Sequence, residues 1–408
     1  MEQTKTNSND NMWQRFVAFF MNPRNLFIIG LCIVFGLTFS EVLRERHWNF
    51  MIFAKSTKLF WQHIAPYGEN WLQITPKLDY FLYGPLFNIL FTPFAYLPAW
   101  LGPFAWNIFN FTLWFAAIFT LPEKFTMNEK CKSFMFTFLI LACTQLSMQY
   151  NVAVGYIFLF AYSLMEKNKG FWAVLLIMIS GFTKIYGIFQ LIMLLFYPRL
   201  WRNIGFVLFI AIVLLIAPAI NMPFSELPSY YGEWISALTE HKDIRTWMNI
   251  FYLRPLNLLP YRMYIQIGVL IALITGIFAN RRKWQTRFFR IACMAVLMGY
   301  IILFSNSSET HTYVISLIGY QMWYWTMFQA NLLNRMDKIF FWAIFVIVVV
   351  MPIDVLCPVP VMNIFYGIQL NLWLLTAMWL RICYTAFISG SEKVTLSKTQ
   401  TVSNKNKP

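Results

Sequence analysis

Phe206-Val207-Leu208-Phe209-Ile210-Ala211-Ile212-Val213-Leu214-Leu215-Ile216-Ala217-Pro218-Ala219-Ile220 contains no charged side chain and follows the basic stretch Arg199-Leu200-Trp201-Arg202. A helix needs about 20 apolar residues to cross a hydrocarbon core of roughly 30 Å, at about 1.5 Å per residue. With its flanks the run reaches that length, from 204 to 221. Uncharged blocks recur at 265–278 and 339–351. The chain is 59% hydrophobic and 12% charged, against about 25% charged in ordinary soluble domains. Too few polar residues remain to coat a water-facing surface. The sequence therefore predicts an all-α polytopic membrane protein, a bundle of transmembrane helices.

Twelve spans are expected, at 25–43, 103–121, 134–148, 153–166, 171–183, 185–198, 204–221, 263–280, 290–305, 312–332, 338–354 and 361–381. A net charge of +15 would suit a nucleic-acid partner, but the basic residues stand in short clusters between apolar blocks. That is the placement of orientation signals. With both ends in the cytoplasm, Lys124, Lys130 and Lys132 face inward. So do Lys167 and Lys169, Arg199 and Arg202, the Arg281–Arg290 cluster, Arg335 and Lys338. Every cytoplasmic segment then carries at least two positive charges. The expected organisation is a cytoplasmic segment 1–24, a membrane-embedded domain 25–389 and a disordered cytoplasmic tail 390–408. Two long outer loops, 44–102 and 221–262, belong to the membrane domain. Within the first, 83–98 is apolar enough to resemble a span. Counting it as one would put Lys124–Lys132 outside, so it is read as a surface-lying helix pair broken by Pro85, Pro93 and Pro98. The six cysteines show no metal-ligand spacing and read as small buried residues.

Ionisable residues are scarce in the centres of the expected spans, where a transporter would be expected to place them. Polar groups gather instead at the outer helix ends. Asp79 lies in Lys77-Leu78-Asp79-Tyr80-Phe81-Leu82-Tyr83-Gly84-Pro85. Gln149 and Asn151 lie at an outer turn. Lys184 ends Gly181-Phe182-Thr183-Lys184, and Ser307-Ser308-Glu309-Thr310-His311-Thr312-Tyr313 opens the tenth span. Taken singly these are ordinary features: a solvated aspartate, a helix-capping amide pair, a surface histidine. Lys184 is flanked by apolar sequence on both sides, where an ammonium is costly. It either snorkels to the interface or binds a lipid phosphate.

The order of several short motifs is similar to a known family. Tyr83-Gly84-Pro85-Leu86-Phe87 runs on to Phe91-Thr92-Pro93-Phe94-Ala95-Tyr96-Leu97-Pro98. Then come Trp106-Asn107, Gln149-Tyr150-Asn151, Gly181–Lys184 and Arg199-Leu200-Trp201-Arg202. Over about residues 25 to 320 this order resembles the glycosyltransferase family 87 (DUF2029) mannosyltransferases of the GT-C superfamily. The resemblance implies a GT-C-like fold with a long first extracytoplasmic loop, in the cell (inner) membrane, with the active site on the outer face. It also implies an inverting hexosyltransferase that moves a sugar, expected to be mannose, from a polyprenyl-phosphate donor to a glycan or glycolipid acceptor. Asp79 or Glu309 would be the catalytic base and Lys184 the donor phosphate ligand. Asn49, Tyr83, Gln149, Asn151, His311 and Tyr313 would contact substrate. No cofactor, metal or nucleic acid is expected; membrane lipid is. One departure stands out, since Asn49 occupies the place where an aspartate is expected and cannot act as a base. Either the base lies at Asp79, Glu309 or Glu45, or the chain is inactive. A lipid-linked glycan flippase and a non-catalytic scaffold are the alternatives.

The charge pattern makes the topology testable. Asn128→Cys and Gln285→Cys should both resist an impermeant thiol reagent in intact cells, and labelling of either would break the twelve-span reading.

Overall fold

A computed structural model describes residues 3–240, 248–253, 256–305, 308–353 and 355–389. The tail expected at 390–408 lies outside the described residues. Among those described there are helices and no strands. The chain begins with α1 (Gln3–Phe20) and α2 (Pro23–Leu43). It continues through α3 (Trp48–Trp61), α4 (Gly68–Ile74) and α5 (Pro85–Ala95). Next come α6 (Leu101–Phe119), α7 (Met127–Leu146), α8 (Asn151–Glu166), α9 (Gly170–Thr183) and a 3₁₀ helix, Ile185–Phe196. α10 (Leu200–Ile216) and α11 (Leu227–Glu240) precede α12 (Arg262–Ala279), α13 (Arg287–Leu303) and α14 (Val314–Gln329). The last are α15 (Arg335–Ile344), α16 (Val359–Gly367) and α17 (Leu370–Cys383).

The core is the pair α13 and α14, buried along nearly their whole length, with α8 against α14 and α6 and α7 beyond. Among the described residues, five helices are long and apolar enough to cross a membrane: Pro23–Leu43, Leu101–Phe119, Leu200–Ile220, Leu259–Ala279 and Leu370–Ile388. Two of them carry broad exposed apolar faces, Leu208, Phe209 and Ile212 on α10 and Met263, Ile267 and Ile271 on α12. Water does not tolerate contiguous patches of that size, whereas lipid does. The chain is a membrane protein.

Three sequence expectations change. The segment 83–98 is not a pair of helices. Pro85 starts α5, where a missing N–H costs nothing, Pro93 lies inside it, and Pro98 falls beyond its end. At 11 residues α5 is about 16 Å long and too short to cross a bilayer. Its Leu86, Phe87, Asn88 and Phe91 are buried against the rest of the protein, while Leu90 is exposed. The expected span 361–381 is broken: Gln369 takes a left-handed backbone (φ 56°), which ends α16 and turns the chain before α17. The expected loop 44–102 is largely helical, holding α3, α4 and α5.

The end of the bundle where α8 stops and α13 starts is clamped by charge. Arg290 Nε meets Glu166 Oε1 at 2.7 Å, and the Tyr197 hydroxyl donates to the same oxygen at 2.8 Å. Nearby, Arg381 grips both carboxylate oxygens of Asp337, at 2.8 and 3.0 Å. The Asp337 side chain is 1% exposed, so losing its partner strands a buried charge. Arg381→Ala should lower the unfolding free energy by about 3 kcal/mol, read as a fall in thermal midpoint in detergent. Arg381→Lys should recover part of it, since a point charge replaces a two-pronged one.

Candidate functional site

At the other end of the bundle three turns converge. One joins α7 to α8, one joins α9 to the 3₁₀ helix, and one joins α13 to α14. They carry Gln149, Lys184 and Glu309.

The α9 turn is set by backbone crowding. Gly187 lies so close to α9 that a Cβ there would come within 2.4 Å of the Ser180 carbonyl carbon and 2.6 Å of the Gly181 nitrogen. The chain can fold straight back at Lys184 only because residue 187 has no side chain. Gly84 locks in from the side, its N–H donating to the Thr183 carbonyl at 3.0 Å. A Cβ on Gly84 would meet the Phe182 carbonyl oxygen at 2.1 Å. This contact lays Tyr83 against Lys184, whose ammonium sits 5.4 Å from the Tyr83 ring centre and 5.5 Å from that of Tyr186.

The α7 turn is held by its exposed carbonyls. A helix leaves its last carbonyls without partners. Here the Asn107 amide donates to Gln145 O at 2.9 Å, Asn49 to Ser147 O at 2.7 Å, and the Trp106 indole to Met148 O at 3.0 Å. Met148 is thereby held in a left-handed conformation (φ 50°), and Gln149 is aimed across the gap. Asn49 matters here as a donor, because a carboxylate in its place would set oxygen against oxygen.

A chain of polar side chains then crosses the three turns. Lys184 Nζ donates to Asn151 Oδ1, and Asn151 Nδ2 donates to Gln149 Oε1. Gln149 Nε2 donates to Glu309 Oε2 at 3.1 Å. His311 Nε2 lies 2.7 Å from the same oxygen. An ammonium can only donate and a carboxylate can only accept. Both amides are therefore oriented from both ends, and no member of the chain opposes its neighbour. Burial works to raise the Glu309 carboxyl. Contact with His311, the Gln149 hydrogen bond and the Lys184 charge outweigh it, holding the group below its ordinary value and ionised. Burial pushes the Lys184 ammonium down to about 8, and Glu309 opposes the fall.

Residues 81–306, more than half of the chain, match the sequence model of glycosyltransferase family 87. The chain belongs to that family. It is a membrane glycosyltransferase, acting on a sugar donor and an acceptor, which favours an enzyme over the flippase and scaffold readings. No curated protein and no solved structure matches this glycosyltransferase.

Of the residues singled out in the sequence, the fold gathers Lys184, Asn151, Gln149, Glu309, His311 and Tyr83. Asp79 does not join them through its carboxylate. It is exposed, and Oδ1 accepts from the adjacent Tyr80 N–H at 2.8 Å. Tyr313 is fully buried, and its hydroxyl donates to Met248 O at 3.1 Å. Glu45 is exposed at a left-handed position. The sequence reading missed Tyr150, whose hydroxyl shares a 2.8 Å hydrogen bond with the Thr183 hydroxyl, and it gave Trp106 and Asn107 no role. Their adjacency, one helix turn before a polar Asn110, was the available signal.

Asn49→Asp is the discriminating variant for the α7 turn. Activity should fall and stability should drop by about 1–3 kcal/mol, the cost of an unsatisfied polar contact, although the change restores the aspartate expected of the family. A rise in activity on Asn49→Asp would show that position 49 touches the reacting atoms.

Proposed function

We propose that this enzyme transfers a sugar, mannose by family resemblance, from a polyprenyl-phosphate carrier to a hydroxyl of a glycan or glycolipid, with inversion at the anomeric carbon. The observation that carries the reading is the polar chain joining Lys184 to Glu309 across three turns at one end of the bundle. A cation and a carboxylate held apart by two amides suit a displacement in which charge moves between two ends of a sugar. The acceptor oxygen forms its bond to the anomeric carbon and gives its proton to Glu309. The bond from that carbon to the phosphate oxygen breaks, and the phosphate leaves with the electron pair, stabilised by Lys184. Tyr83, Gln149, Asn151 and His311 line the path between them. Glu309 is the stronger candidate of the two acids, because Asp79 is engaged with its own backbone in solvent. Asn49 and Tyr313 hold the scaffold.

The same reading keeps a twelve-crossing GT-C-like architecture for 25–389, its last crossing moved to Leu370–Ile388, with 1–24 and 390–408 on the cytoplasmic side of the inner membrane. The short helices α8 and α9 and the 3₁₀ helix are then crossings completed by the turns at their ends. The converging turns face the extracytoplasmic side, where lipid-borne donor and water-borne acceptor both arrive.

Transfer from radiolabelled polyprenyl-phosphate mannose in membranes tests the assignment. Lys184→Ala and Glu309→Gln should each lower the rate by about 10²–10³, whereas Asp79→Asn should stay within about twofold of wild type. Normal activity in Lys184→Ala would overturn the phosphate assignment. The pH dependence has a definite sign. The donor phosphodiester keeps its charge throughout, but Lys184 loses its own as pH rises through about 8. Donor KM should therefore climb about tenfold between pH 7 and pH 9. Lys184→Arg, charged at both pH values, should flatten that climb.

A further inference from the structure

The 3₁₀ helix Ile185–Phe196 turns about once every three residues, so every third side chain shares a face. Gly187, Gln190, Met193 and Phe196 make up one such face, and all four are buried. A glycine, a methionine and a phenylalanine suit a stripe packed between helices. A glutamine does not. Gln190 is 1% exposed, and among the described residues neither its Oε1 nor its Nε2 meets a hydrogen-bond partner. An amide unmet at both ends is costly to bury, and more so in a membrane bundle, where bulk water is far away. Gln190 opens onto a small cavity enclosed by the 3₁₀ helix, α8 and α9. Phe158, Met165, Ile177 and Met193 give that cavity apolar walls, and Tyr162 and Tyr197 bring the other polar atoms.

The two hydroxyls stand differently. Tyr197 gives its proton to Glu166 Oε1 at 2.8 Å and keeps its oxygen free to accept. Tyr162 is 3% exposed, and its proton finds no acceptor: the polar side chain beside its hydroxyl is Arg287, and a guanidinium only donates. Two buried polar side chains on separate helices, a hydroxyl donor on α8 and an amide on the 3₁₀ helix, therefore line one cavity with nothing in the protein to bind. The size and chemistry of the cavity decide what can meet them. It measures about 10 Å³, room for one water and for nothing larger. No carboxylate and no cationic side chain lines it, so it holds neither a metal ion nor an anion. A water answers both side chains together. It accepts from the Tyr162 hydroxyl and donates to Gln190 Oε1 and to the Tyr197 oxygen, about the three bonds usual for an interior water.

We propose that Gln190, Tyr162 and Tyr197 form a binding site for a single structural water, which joins α8 to the helix that begins beside Lys184. The bridge continues through Tyr197 to the Glu166–Arg290 clamp. The helix whose first turn carries the Lys184 contacts is thus tied at its middle to the charge cluster at the opposite end of the bundle. The site stands apart from the reaction assigned to Lys184 and Glu309 and does not depend on it. Radiolytic hydroxyl-radical labelling of the full chain in lipid nanodiscs tests it, because radicals form from water in place and oxidise the side chains next to it. Met165 and Met193, both buried walls of the cavity, should be oxidised several times faster than Met327 and Met378, which are as deeply buried but lie away from it. Gln190→Leu with Tyr162→Phe removes two of the three partners, and the excess should be lost while Met327 and Met378 keep their rates. Gln190→Met alone serves should the double variant misfold. It keeps the length of the side chain and drops the amide. With a water in place it breaks the bridge, and the thermal midpoint should fall; in a dry cavity it removes an unmet amide, and the midpoint should hold or rise. Labelling of Met165 and Met193 no faster than of the two controls, or a Gln190→Met protein that melts at or above wild type, would overturn the proposal. So would excess labelling that survives the double variant, since the water would then be held by something other than this pair.

Discussion

The contact on which this end of the molecule depends is the line of donors running from Lys184 through Asn151 and Gln149 to Glu309. Lys184 sits where protein has displaced much of its water and would be expensive alone, whereas the Glu309 side chain is 41% exposed. Linked through two amides they lower one another's cost without touching, which leaves both faces open. A direct ion pair would have been cheaper to build and useless to a substrate. The arrangement needs three turns from distant parts of the sequence to stay in register, and much of the surrounding structure serves that end. Asn49, Trp106 and Asn107 tie down the carbonyls of one turn. Gly84 and Gly187 admit the close backbone approach of another. The Thr144 hydroxyl ties α7 to the third through His311 O.

Membrane character was legible because it is a property of composition and block length, and both survive any error in boundaries. The convergence of Gln149, Asn151, Lys184 and Glu309 was legible for a related reason. Once the alternation of sides is set by the basic clusters, polar residues at alternate turns must share a leaflet. The choice between Asp79 and Glu309 was not legible. Both are lone acids in outer segments, and only the path of the chain shows that one turns back on Tyr80 while the other meets Gln149. The break at Gln369 was hidden too, since nothing in 361–381 marks a left-handed residue. Proline marks were read too literally at 83–98, where Pro85 opens a helix.

Asn49 carries a wider lesson about a departure from a family pattern. Read as a missing base, it suggested a dead enzyme. In place, its amide does something a carboxylate cannot, donating to Ser147 O at 2.7 Å beside the turn that presents Gln149. Here a missing acid is a gained donor, and the carboxylate we propose as the base stands on another turn, at Glu309.

The close approach at Gly187 has a consequence for how this chain can vary. Turns between helices ordinarily absorb insertions and deletions, because little depends on their length. The turn at Lys184 is closed on both sides, by Gly187 within and Gly84 from outside. Each residue added or removed there would rotate the downstream 3₁₀ helix by about 120° around its axis, swinging Lys184 off the ring of Tyr83 and out of reach of Asn151. Its spacing is fixed like that of a helix interior, and in this protein a turn can change its side chains more freely than its length.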